Sequence, residues 1–287
     1  MSRPWARAGA TLGLVLLASG ALGAQMIQDL NAPVDPGSRV TYRSLVAGVF
    51  PGLREDSKSG NLITTSEAEF RRMGETEQTV LPAGTRLASV SAVRVRADGG
   101  RYVVLMCEAE TGATDVPGGG AAILAAFPEG QAQPSDMVDV KTDVLCFFRE
   151  EPPLSLGSED AFSVVNHHFN SSQGYVDTLL AHVRGGRFQA IGSVFTLNVG
   201  GLCENSFQEI LSWRAEKDAA AGPFKVVATV RLTRGPGEKD DPECLERKLK
   251  VRVDVFSETY RWDKGRQAYA AVGRGFQALN RFNQDKF

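Results

Sequence analysis

The chain has 287 residues, 43% hydrophobic and 23% charged, and its 32 Lys plus Arg against 34 Asp plus Glu leave a formal charge of −2. This is the make-up of an ordinary folded protein, so disorder is excluded as its overall state, and the near-zero charge removes any global case for nucleic-acid binding. The length fits one large all-β domain or two smaller ones, either with a sizeable core.

Residues 1–24 read as a signal peptide. Arg3 and Arg7 form a positive start, Thr11 to Leu17 is apolar, and small residues follow, with Ala21-Leu22-Gly23 or Leu22-Gly23-Ala24 as the cleavage signal. The apolar run is short for a membrane span, and no later stretch reaches ~18 apolar residues, so the mature chain is expected to be exported and soluble, in a periplasm or outside the cell, with no transmembrane segment. Residues 25–85 form an N-terminal segment with short helices. One helix is expected from Val40 to Phe50, stopped by Pro51. A second is expected over 66–73, where Ser66 stands three before Glu69 in capping-box spacing and Gly74 follows as a stop.

From 86 to 287 the pattern changes to strands and turns. Asp98-Gly99-Gly100 and Gly185-Gly186 are hairpin signals between apolar runs, and Asp263-Lys264-Gly265 gives a third. Further strands fit 122–127, 137–148, 162–169, 175–183, 189–199, 207–214, 224–232 and 249–260. The fold class is therefore mainly β: an antiparallel meander forming a sandwich, a barrel or an incomplete propeller, with short flanking helices. Phe276, Leu279 and Phe282 place a terminal helix over 274–283 against the sheet.

An oxidising compartment favours disulfides. Cys203 and Cys244 lie in polar, loop-like surroundings, whereas Cys107 and Cys146 lie in apolar strand-like runs. Like contexts suggest 203 with 244 and 107 with 146, two buried thiols being the alternative for the second pair. Walker, dinucleotide, G-x-S-x-G, H-E-x-x-H and EF-hand motifs do not occur, and no cofactor or metal is expected. The acidic run around Asp240-Asp241 reads as a solvated loop rather than a calcium site.

One polar cluster stands out: Asn166, His167, His168, Asn170, Gln173, Tyr175 and Asp177. Neighbours on a strand point to opposite faces, so His167 and His168 do not jointly hold a metal in a regular strand. With 170–174 as a five-residue loop, His167 faces Asp177, His168 faces Val176, and His182 is roughly 17 Å along the strand. This register predicts a His167–Asp177 pair with Asn170 to Gln173 at an exposed tip. Asn170-Ser171-Ser172 also matches a glycosylation acceptor. Trp213, Tyr260 and Trp262 are read first as core, with a sugar- or peptide-binding platform as the alternative.

These features predict an exported, non-enzymatic β-rich protein that binds an unknown ligand or protein, or is associated with an envelope. The alternatives are a hydrolase, with a metal if any, using residues 166–182, and a structural subunit or inhibitor serving a partner protein.

Overall fold

The structure is a computed structural model that describes residues 23–57, 60–75, 77–110, 120–169, 174–201, 203–218, 224–236, 242–246 and 250–286. Most of the expected signal peptide, the loop from Asn170 to Gln173 and Asp240-Asp241 lie outside the described residues. The protein is mainly β, in antiparallel and mixed sheets with no closed barrel and with short helices.

The first sheet is built from β1 (Gln25–Met26), β2 (Arg54–Glu55), β3 (Leu62–Ile63), β4 (Ala68–Arg72), β5 (Gln78–Leu81), β6 (Arg86–Ala97), β7 (Gly100–Glu110), β8 (Ala121–Pro128) and β9 (Asp136–Asp139). Its order is β2-β3-β6-β7-β8-β9-β4-β5, with β1 added on β6. The middle sheet holds β10 (Leu145–Phe148), β11 (Leu154–Ser155), β12 (Asp160–Phe169), β13 (Gly174–Arg184) and β14 (Arg187–Thr196). The third runs β15 (Val199–Gly200), β16 (Phe207–Lys217), β17 (Phe224–Arg234), β18 (Arg252–Asp263) and β19 (Ala268–Val272). Helix α1 (Tyr42–Val49) lies on the first sheet, α2 (Pro242–Glu246) lies in the loop before β18, and α3 (Gln277–Gln284) ends the chain.

Alternation places the cores. One lies between α1 and the first sheet, where Leu45, Val46 and Val49 meet Leu105, Cys107 and Phe127. The next lies between the first and middle sheets, where Val104, Met106 and Leu124 meet Phe148, Phe162, Ala181 and Phe188. The third lies between the middle and third sheets, where Leu180, Ile191 and Val194 meet Val226, Ala228, Tyr260 and Leu279. The middle sheet is thus covered on both faces, and β13 is buried on consecutive residues from Leu180 to Val183.

Helix α1 forms where expected. Thr41 caps it, accepting the Ser44 N–H while Ser44 Oγ accepts the Thr41 N–H, and Tyr42, Leu45, Val46 and Val49 make one buried stripe. The predicted glycine hairpins form: Asp98 and Gly99 take φ of 52° and 74°, Gly185 and Gly186 take 58° and 70°, and the turn after Asp263 joins β18 to β19. The Asp98 carboxylate then ties the two turns together, accepting the N–H of Gly185 at 2.7 Å and of Gly186 at 2.8 Å. Burial tends to raise the Asp98 pKa, but these two N–H groups, the Tyr102 hydroxyl and Arg184 outweigh it and hold it below the usual carboxylate range.

Three expectations are corrected. Residues 66–73 are not a helix: Ala68–Arg72 is β4, paired antiparallel with β5 and parallel with β9. An eight-residue helix gains little alone, whereas the strand buries Phe70 edge-on to Phe50 at 5.8 Å and pairs Arg71 with Asp136 at 2.6 Å. The expected strand 137–148 is two, β9 and β10, in different sheets. Cys107 and Cys146 are free and buried, in cores on opposite faces of the first sheet, and cannot meet. Burial pushes the Cys107 thiol up to about 12 and raises that of Cys146 as well. The Cys203–Cys244 disulfide is present, with Cα atoms 5.1 Å apart, and joins the 3₁₀ turn Cys203–Asn205 to α2.

Candidate functional site

The β12–β13 hairpin is shifted by one residue from the expected register. Phe169 pairs with Gly174, so Gly174 belongs to the strand, His168 faces Tyr175, His167 faces Val176, and Asn166 faces Asp177. A one-residue slip exchanges the two faces of a strand. The predicted His167–Asp177 pair therefore does not form. His167 stands on the face of Leu145 and Val176, while Asn166, His168, Tyr175 and Asp177 share the other.

On that face the polar groups converge on a residue from a separate segment. Asp143 precedes β10, and its Oδ1 lies 2.7 Å from His168 Nδ1 while its Oδ2 accepts the Tyr175 hydroxyl. The His168 and Tyr175 rings stack with centroids 4.6 Å apart and planes 6° apart. The Asp143 hydrogen bond, with burial and the carboxylate charge, pushes the Tyr175 phenol up to about 12. Burial works to raise Asp143 itself, but the Tyr175 and His168 hydrogen bonds and the Val144 N–H hold it below the usual range. Asp177 accepts the Ser193 hydroxyl from β14.

These side chains border a cleft of about 530 Å³. Thr142, Asp143, Tyr175, Asp177 and Ser193 give it polar lining, Phe195 and Phe276 apolar lining, and Asn280 of α3 also lines it. Among the described residues no Lys or Arg lines it. The cleft therefore offers hydrogen-bond acceptors and flat ring surface, a lining suited to hydroxyl or ammonium groups and poor for anions.

Of the cluster singled out in the sequence, His168, Tyr175 and Asp177 are at or beside this cleft. Asn166 is buried and structural: its Oδ1 accepts the Thr142 N–H at 2.9 Å and its Nδ2 donates to the Val140 carbonyl at 3.0 Å, fixing the segment that carries Asp143. Asn170 and Gln173 lie outside the described residues. Sequence reasoning missed Asp143, Ser193 and the α3 contribution. The polar break Lys141-Thr142-Asp143 between two apolar runs was the available signal for the first, and the i, i+4 spacing of Phe276 and Asn280 for the last.

His182 is elsewhere. It is 0% exposed between the middle and third sheets, edge-on to Tyr269 at 5.6 Å and to Trp262 at 6.5 Å. Trp262, 6% exposed, and Tyr260, 7% exposed, are core residues, and Trp213 packs on Tyr260 at 6.0 Å, so no aromatic platform is presented there. Among the described residues no group of three or more His, Cys, Asp and Glu side chains could hold a metal ion. Compared with known proteins, the chain matches no family model, no curated protein and no solved structure.

Proposed function

We propose that this is an exported, non-enzymatic binding protein that takes a small hydroxylated or amine-bearing ligand in the cleft beside Asp143, Tyr175 and Asp177. The observation that carries the reading is the convergence there of two carboxylates, the hydroxyls of Thr142, Ser193 and Tyr175 and the Asn280 amide with three aromatic rings in one site. The Cys203–Cys244 bond and the lack, among the described residues, of a helix long and apolar enough to cross a membrane are compatible with export. Calorimetric titration with neutral sugars and with primary amines tests the site. Binding by either class that Asp177→Asn weakens tenfold or more, with the unfolding midpoint unchanged, supports it; no binding by either class removes it.

The hydrolase reading is favoured by one observation, the Asp143–His168 contact through Nδ1, which is how a carboxylate orients a general-base imidazole. Turnover of simple esters or phosphate esters that is lost in His168→Ala would replace the binding reading with this one.

A further inference from the structure

Two cleavage positions fit the sequence, one releasing Ala24 as the first residue and the other Gln25. We infer that processing occurs between Gly23 and Ala24, and that the new α-ammonium of Ala24 docks in the cleft beside Glu150 and Glu151. The inference rests on the export reading above.

Three observations carry it. The first is the sequence itself. Cleavage before Ala24 puts the small residues Ala21 and Gly23 at the third and first positions upstream, whereas cleavage before Gln25 puts Leu22 at the third.

The second is packing. The chain is already part of the fold at this point: Gln25 and Met26 form β1 on β6, opposite Ala92 and Ser91, and Ala24 packs on the core between the first and middle sheets. Ala24, Gln25 and Met26 line a cleft of about 520 Å³ with Arg149, Glu150 and Glu151. Gly23 abuts the Glu150 carbonyl so closely that a Cβ would stand 2.6 Å from its oxygen. A cation created one residue on emerges beside that carbonyl oxygen, in the cleft whose lining includes Glu150 and Glu151. Arg149, the one cation lining it among the described residues, is already bound to Glu151 at 3.0 Å and to the Leu211 carbonyl at 3.0 Å.

The third is chemical. The Gln25 side-chain Nε2 donates to the Tyr42 hydroxyl at 2.8 Å, tying β1 to α1. An amino-terminal glutamine cyclises: its α-nitrogen bonds to Cδ, the Cδ–Nε2 bond breaks, and Nε2 leaves as ammonia with a proton from the amine. That reaction would delete the donor that Tyr42 accepts and the positive charge at the Glu150–Glu151 cleft. With Ala24 in front, the Gln25 nitrogen is a peptide amide and both are kept.

The chain is produced with its own leader in a secretory host, and its amino terminus is sequenced and its intact mass measured. A free amine on Ala24 supports the inference. Gln25 or its lactam at the terminus overturns it while leaving export standing. A chain still carrying its leader overturns the export reading and this inference together. Chains beginning at Ala24 and at Gln25 are then prepared directly by protease release from a tag. The Ala24 chain should unfold at a higher temperature, and Tyr42→Phe should lower that midpoint while leaving the cyclised Gln25 chain unmoved. Equal midpoints, or an equal effect of Tyr42→Phe in both, overturn the docking.

Discussion

Acidification should weaken the contact between the middle and third sheets through His182. Among the described residues neither ring nitrogen has a partner in full hydrogen-bond geometry, although the Gln189 side chain is beside the ring; Glu159 Oε2 lies 3.9 Å from Nδ1, and Trp262 and Tyr269 pack edge-on to the ring. Burial, helped by the Arg184 charge, pushes the imidazole pKa down to about 4, while Gln189 and Asp98 oppose this more weakly. The unfolded chain takes up the proton near 6.5 and the folded one only near 4, so between those values the unfolded state binds more protons. Stability from this group is full above the unfolded value, falls as pH falls from 6.5, and levels off below about 4. A difference of roughly 2.5 pKa units at ~1.4 kcal/mol each gives a loss of ~3 kcal/mol. Urea unfolding followed by tryptophan fluorescence, at pH values from about 7.5 to 4, measures it. His182→Phe removes the titration, and carboxylates common to both proteins cancel in the difference. The stability of the native protein minus that of the variant should therefore fall by ~3 kcal/mol over that range, whatever the variant's own baseline. A difference flat with pH would refute the argument.

Reducing Cys203–Cys244, which closes a separation of 41 residues, should destabilise by ~4 kcal/mol in the chain-entropy model, measured by unfolding with and without reductant. Cys107 and Cys146 should resist alkylation in the folded protein and react only at the unfolding rate, which mass spectrometry reads directly. Asn166→Ala should cost ~2–3 kcal/mol, because it leaves the Thr142 N–H and the Val140 carbonyl without partners, whereas Asp177→Asn should cost under ~1 kcal/mol; chemical denaturation separates the two. Asp143→Asn should bring the Tyr175 phenol from about 12 back toward 10, seen as a shift in its ultraviolet titration.

Where the sequence was legible, the controlling chemistry was local. Gly185-Gly186 set a two-residue turn, and Arg184 faces Arg187 as that turn demands. Beyond it the pairing departs from the simple count: a bulge between Leu180 and Ala181 moves Leu180 opposite Gly192 instead of Ile191, and Val176 opposite Thr196 instead of Phe195. Nothing in the side-chain pattern announces an inserted residue, because both faces of β13 are buried there. The Ser66–Glu69 spacing fits a helix start but is overruled by strand pairing, with the adjacent β5 and with β9 more than 60 residues away in sequence, the latter beyond any local pattern. At the site, the face carrying Tyr175 and Asp177 was legible, but the turn between β12 and β13 is one residue shorter than counted. His168 therefore replaces His167 there, and Asp143 arrives from the separate segment between β9 and β10.

The parallel pairing of β4 with β9 has a consequence for the order of assembly. Every other pairing named above is antiparallel, most of them between consecutive strands, so most of the protein can zip up from short-range closures. Residues Arg71 and Arg72 instead wait for Val138 and Asp139, which reach them only after the β6–β9 meander has been laid down between. The β4–β5 hairpin is then a late arrival on an edge already built, even though it is made earlier in the chain. Pulsed hydrogen exchange during refolding should protect amides of 86–128 before those of 68–81, and Arg71→Ala, which removes the Asp136 contact, should speed unfolding far more than it slows folding.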